Sequence, residues 1–88
     1  MDTEQFKQAL QRQGYGEPQP LEFGPNATSE MHTHDTSCFV LVLDGELTLL
    51  TEQGAKIYRS GDSCEIRAGT PHSERTGASG AKTLIGRK

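Results

Sequence analysis

The apolar positions of this chain fall into short blocks with two different periods, and the period changes once. Near the start, Phe6, Ala9 and Leu10 lie at i, i+3 and i+4. That spacing makes one narrow apolar stripe on a helix. Asp2 or Thr3 can cap it, and Gly14 and Gly16 end it, so the pattern predicts a short helix over about residues 3–13. Its expected place is as a lid or flap against whatever follows.

From Leu21 onward the period is two. The segments Leu21–Phe23, Ser29–His34, Cys38–Leu43, Glu46–Thr51, Ala55–Arg59, Ser63–Arg67, Ser73–Thr76 and Ala81–Ile85 read as strands. Turn chemistry separates them: Gly24-Pro25-Asn26, a tight hairpin at Asp44-Gly45, then Gln53-Gly54, Ser60-Gly61-Asp62 and Gly77–Gly80. About eight short strands at this spacing predict an all-β barrel or sandwich. There is no βαβ alternation, no glycine-rich phosphate loop and no C-x-x-C pair.

Two of the three histidines, His32 and His34, stand two residues apart. On an extended strand both side chains then share one face, roughly 7 Å apart at Cα. From there two imidazoles can converge on one metal ion at about 2.0–2.1 Å each. A helix would aim the pair about 200° apart, so the spacing is a metal signal only on a strand. Glu30 shares that face by strand parity and is a candidate to orient an imidazole.

Length and charge narrow the classes. At 88 residues the chain reads as one domain, residues 1–16 a helical segment and 21–88 the barrel. Such a size buries only about 60–65% of its unfolded surface, so a bound metal or a second copy would help stabilise it. Nine basic against twelve acidic residues leave a net charge of −3, with no basic block. That gives no footprint for nucleic acid or an acidic membrane. The longest apolar run, Cys38–Leu43, is too short to span a bilayer, and Met1–Leu10 is polar rather than signal-like. Cys38 and Cys64 are too few for a disulfide scaffold; the expectation is a reducing cytoplasm with both thiols free, a Cys38–Cys64 disulfide being the alternative.

The residues carry a resemblance to the cupin family, whose two motifs are G-x5-H-x-H-x3,4-E-x6-G and G-x5-P-x-G-x2-H-x3-N. His32-Thr33-His34, then Cys38 and Gly45, follow the spacing of the first. Gly61, Arg67, Gly69 and His72 follow the second. Cys38 stands where the family keeps its Glu, Arg67 where it keeps Pro, and Thr76 where it keeps Asn; Asn26 holds the offset of the first motif's leading Gly. Each of the three histidines falls on a position where the family has a metal-ligand histidine.

The resemblance implies a small jelly-roll barrel with a divalent transition metal (Fe, Mn, Ni, Cu or Zn) held by His32, His34 and His72. Neutral imidazoles leave the charge of such an ion uncompensated, so it remains a good Lewis acid. Cys38 is the fourth candidate ligand; a thiolate there would favour Zn or Cu. The competing readings make it a small core residue or a reactive thiol. Cysteine dioxygenase is similar in having three histidines on iron and can have Cys at the Glu position, with spacing one residue longer and a longer chain. Arg67 is either exposed or at the barrel mouth facing an anionic substrate. Glu30, Glu65 and a metal-bound hydroxide are the candidate bases, and Glu74-Arg75 reads as a solvated strand pair. Three functions remain open: a metal-dependent oxygenase or isomerase acting on a small molecule, a non-catalytic module that binds a metal or small ligand, or a structural jelly roll with no bound ligand. A homodimer is expected, because a small barrel leaves sheet edges that benefit from pairing.

Overall fold

A computed structural model describes all residues, Met1–Lys88. One helix, α1 (Thr3–Arg12), precedes five strands: β1 (Gln19–Phe23), β2 (Cys38–Thr51), β3 (Gly54–Arg59), β4 (Ser63–Ile66) and β5 (Ser73–Arg87). The all-β expectation holds, with fewer and longer strands than the periodicity suggested. The hydrogen-bonded order is β1-β5-β2-β3, with β4 also on β2, all antiparallel, and the ring of hydrogen bonds does not close.

The architecture rests on β2 and β5, which run beside each other along almost their whole length. At one end Cys38–Leu41 lies between β4 and the last residues of β5, with β1 beyond. At the other end Glu46–Thr51 lies between β3 and the first residues of β5. Each long strand thus serves two layers of a jelly roll. The bend comes where the register shifts, between Val42 and Asp44 and between Gly45 and Leu47. Such bulges bend a strand and turn its alternation over. Cys38, Val40 and Val42 point into the inner cluster before the bend, and Leu47 does so after it.

The hairpin expected at Asp44-Gly45 is therefore absent, and so is the turn at Gly77–Gly80; both sit inside long strands. The glycines are real signals of special backbone, but for the bend. Gly45 and Gly80 both have positive φ, +81° and +69°. They approach so closely that a Cβ on Gly45 would collide with the Gly80 carbonyl. The expected strand Ser29–His34 is also not continuous. Residues 26–34 run antiparallel beside the start of β5 in isolated bridges, Thr28 with Arg75 and His32 with His72.

The helix forms where its stripe predicted. Asp2 accepts from the Gln5 amide while the Gln5 side chain returns to the Asp2 amide, a reciprocal cap. Phe6, Ala9 and Leu10 are buried against Phe39 and Leu41 on the outer face of β2, joined by Tyr15. Phe6 and Tyr15 meet Phe39 edge-to-face at centroid distances of 5.1 and 5.6 Å. The inner face of β2 belongs to a separate cluster of Cys38, Val40, Val42, Leu47, Cys64, Ala81 and Ile85. No helix is long and apolar enough to cross a membrane.

Candidate metal centre

The three histidines meet. His32 and His72 face each other across a backbone bridge, His32 N donating to His72 O at 2.9 Å and His72 N to His32 O at 3.0 Å. His34 is held alongside by Gly69 N, which donates to its carbonyl at 2.9 Å. The ring centroids lie 4.4 Å (His32–His72), 4.8 Å (His32–His34) and 5.2 Å (His34–His72) apart. His72 is fully buried, His32 half-buried and His34 exposed, so the cluster opens to solvent on the His34 side.

A fourth residue joins them. Glu74 Oε1 lies 3.3 Å from His72 Nε2 and 3.6 Å from His32 Nε2. Its other oxygen, Oε2, accepts from Ser29 Oγ at 2.8 Å, while Ser29 Oγ accepts from the Glu74 amide at 2.9 Å. That double contact holds the carboxylate so that one oxygen is left for the histidines. One donor atom from each of His32, His34, His72 and Glu74 lies within 4.8 Å of every other.

The tautomers are set by the backbone. His32 Nδ1 lies 2.6 Å from Glu30 O and His72 Nδ1 lies 2.8 Å from Thr70 O, each a carbonyl two residues upstream. Since a carbonyl only accepts, each Nδ1 carries the proton and each Nε2 presents its lone pair to the cluster. At residue 30 it is the backbone carbonyl that orients His32; the Glu30 carboxylate, which strand parity offered for that task, makes no such contact. His72 Nε2 has no hydrogen-bond partner although it is fully buried. An imidazole lone pair and a carboxylate oxygen facing each other at 3.3 Å repel unless a cation or proton lies between them. Donors around a tetrahedral ion with bonds of about 2.1 Å stand roughly 3.4 Å apart. The Nε2–Oε1 separations of 3.3 and 3.6 Å bracket that value. The residues fit a divalent metal.

The remaining sequence candidates take other places. Cys38 lines the same cavity as the histidines but is not one of the four mutually close donors; it packs in the inner cluster. Cys64, paired in register with Val40, is a free thiol like Cys38, and burial, helped by Cys38 nearby, pushes its pKa up to about 12. Glu65 accepts from Tyr15 Oη at 2.6 Å on the outer side. Arg67 is 84% exposed and reaches only Glu65, at 4.0 Å, so it does not line the histidine cavity. Glu74, read as a solvated pair with Arg75, is the residue that sequence reasoning missed. The signal was available: Glu74 follows His72 by two positions at the start of β5, where strand alternation puts both on one face.

No curated protein matches the sequence significantly. Solved structures match the fold. A cupin-2 domain protein from Shewanella frigidimarina aligns at TM-score 0.66 and 19% identity over 77% of this chain and 65% of its own. The polyketide cyclase RemF from Streptomyces resistomycificus aligns at TM-score 0.68 and 24% identity, over 80% and 52%. A variant of oxalate decarboxylase from Bacillus subtilis aligns at TM-score 0.67 and 24% identity, over 81% and 20%. The chain therefore spans less than two thirds of the length of these proteins. At such identities the likeness concerns the fold. The sequence itself matches the Cupin_2 family, described as a cupin domain, over residues 21–84, which is most of the chain and includes every member of the histidine cluster; the protein belongs to the cupin family.

Proposed function

We propose that the protein holds one divalent transition metal ion with His32, His34, His72 and Glu74, and acts on a small molecule in the cavity beside it. The observation that carries this is the buried, unpartnered His72 Nε2 aimed at Glu74 Oε1. A metal bound there would supply a Lewis acid and lower the pKa of bound water. The chain's own contribution is orientation and dryness. Two backbone carbonyls fix the imidazoles and Ser29 fixes the carboxylate. An apolar wall that includes Leu21, Phe23 and Val40 keeps water from the opposite side of a cavity of about 220 Å³. Pockets for drug-sized ligands run from about 300 Å³ upward, so the molecule is small.

The identity of the ion separates the two functional readings. An octahedral ion such as Fe(II), Mn or Ni bound by four protein donors keeps two positions for a reacting molecule. A tetrahedral zinc would be saturated by the same four and would make a closed binding module. With an octahedral ion the two open positions would serve oxygenase or isomerase chemistry, and oxygen uptake by the iron-loaded protein separates those two. Three strands, β1, β3 and β4, pair on one side only, and β3 exposes Ile57, so a homodimer would pair along β3. Light scattering of the purified chain tests that.

Elemental analysis of the wild type beside Glu74→Gln and Cys38→Ser tests the centre. One ion per chain in the wild type and in Cys38→Ser is expected, with the ion lost or held more weakly in Glu74→Gln, which replaces a charged ligand by a neutral amide. Loss of the metal in Cys38→Ser with retention in Glu74→Gln would replace Glu74 by the thiolate. No metal in any of the three after reloading would end the proposal.

A further inference from the structure

The cavity beside the histidines contains one more charged group. Arg87 is the last residue of β5 and continues its inward alternation, in line with Ala81, Thr83 and Ile85, and pairs in register with Cys38. Its side chain lines the cavity together with the three histidines, and Glu74 and Arg87 are the only charged residues that do so. The remaining wall is largely apolar, with Leu21, Phe23, Leu47 and Ile85 among its members. The ion pairs of the chain join Glu46 to Arg59, Glu65 to Arg67, and Glu74 to His32 and His72; none involves Arg87. Arg87, exposed to solvent, thus brings a cation to this largely apolar wall and forms no ion pair with a carboxylate of the chain.

We infer that Arg87 is the anion-recognition residue of this cavity, and that the molecule it admits is a small carboxylate with an apolar body. Three properties point the same way. The planar fork of a guanidinium matches a carboxylate with two parallel hydrogen bonds. The volume, about 220 Å³, and the aliphatic wall suit a short hydrocarbon chain behind that carboxylate. Charge agrees as well: with Glu74 engaged by a divalent ion, ion and Arg87 together leave the cavity positive, which favours an anion entering it. The last point rests on the metal reading above; the first two do not. Arg67, the arginine that the motif spacing offers for this task, is turned away to Glu65, so the role passes to a residue outside both motifs.

The test is calorimetric titration of the full chain, metal-loaded and chelator-stripped, with straight-chain carboxylates from acetate to hexanoate, their amides and inorganic phosphate. The metal content of each sample is measured alongside. Carboxylates are expected to bind more tightly than the matching amides. Arg87→Gln is expected to weaken carboxylate binding by about tenfold or more, as for a lost charge-assisted hydrogen bond. Arg87→Lys, a point charge without the fork, should recover part of that loss. Arg75→Gln makes the same charge change on β5, at a residue that does not line the cavity, and should change nothing. The inference is overturned if amides bind as well as acids, if no acid in the series binds, if Arg87→Gln binds like the wild type, or if phosphate binds more tightly than every carboxylate. A wild type that holds no metal after loading sinks the metal centre instead, and the Arg87 dependence in the stripped protein still decides this inference.

Discussion

The two faces of β2 are built from similar residues and do opposite things. Outward, Phe39 and Leu41 meet Phe6, Ala9, Leu10 and Tyr15, and the helix seals them. Inward, Cys38, Val40 and Val42 are as well buried and share an apolar cluster with Leu47, Ala81 and Ile85, yet that face also borders a layer of polar donors. That layer carries His32, His34, His72 and Glu74, with a cavity in between. One alternating strand thus stabilises the fold on one side and excludes water from polar donors on the other. What differs is the partner: an amphipathic helix capped at Asp2, or the bridged segment 26–34, whose carbonyls and Ser29 serve to orient side chains.

If the faces are independent, the largest effect on stability lies outside and leaves the centre untouched. Phe6 has no exposed surface and stacks edge-on to Phe39 at 5.1 Å. Phe6→Ala is expected to cost about 3–5 kcal/mol, the range for an aromatic removed from a core. Denaturant unfolding measures this, while the metal content of the folded fraction stays at the wild-type value. A parallel loss of metal affinity would show that the helix supports the centre through β2, and the contrast drawn between the faces would fail.

A smaller effect sharpens the comparison from the inside. A metal that binds only the folded state stabilises it by about 2.7 kcal/mol when present at a hundredfold excess over Kd. The rise in thermal midpoint on metal addition should be alike in the wild type and in Phe6→Ala, since distant sites add. It should vanish in His72→Ala, which removes the buried Nε2. An equal rise in His72→Ala would mean that the ion binds elsewhere.

How much of this was legible depended on the range of the signal. The helix stripe and its cap are local, and α1 formed as read. The H-x-H pair and His72 were legible because their spacing repeats a known pattern, and the three rings do meet. The bend was not legible. Asp44-Gly45 carries the same residues whether the chain reverses in a hairpin or bulges within a long strand, and only the approach of Gly80 decides between them. Glu74 was misread for a related reason. A charged residue beside Arg75 looks solvated until Ser29, distant in sequence, is seen to hold it. Arg87 has no motif at all; its inward position follows from the parity of β5 after the bend.

The smallest effect separates the two faces by pH. Burial raises the Cys64 thiol from 9.0 to about 12 on the inner side, with Cys38 adding to it. Burial, and then the hydrogen bond to Glu65, raises the Tyr15 hydroxyl from 10.0 to about 12 on the outer side. In both cases the folded state holds the proton more tightly than the unfolded chain. The resulting stability is fully present below the unfolded pKa and is lost as pH rises towards the folded one. Stability of the metal-free protein should therefore begin to fall above about pH 9, where the unfolded thiol ionises, and more steeply above about pH 10. Cys64→Ala should delay the onset to about pH 10, leaving the later limb. Tyr15→Phe should keep the onset and flatten the slope between 10 and about 12, at a cost near 1 kcal/mol at neutral pH for the lost hydrogen bond. Denaturant midpoints taken across pH 8–12 read both limbs. If the two variants moved the same limb, thiol and hydroxyl would belong to one coupled unit, and the separation of the faces would not extend to their titration.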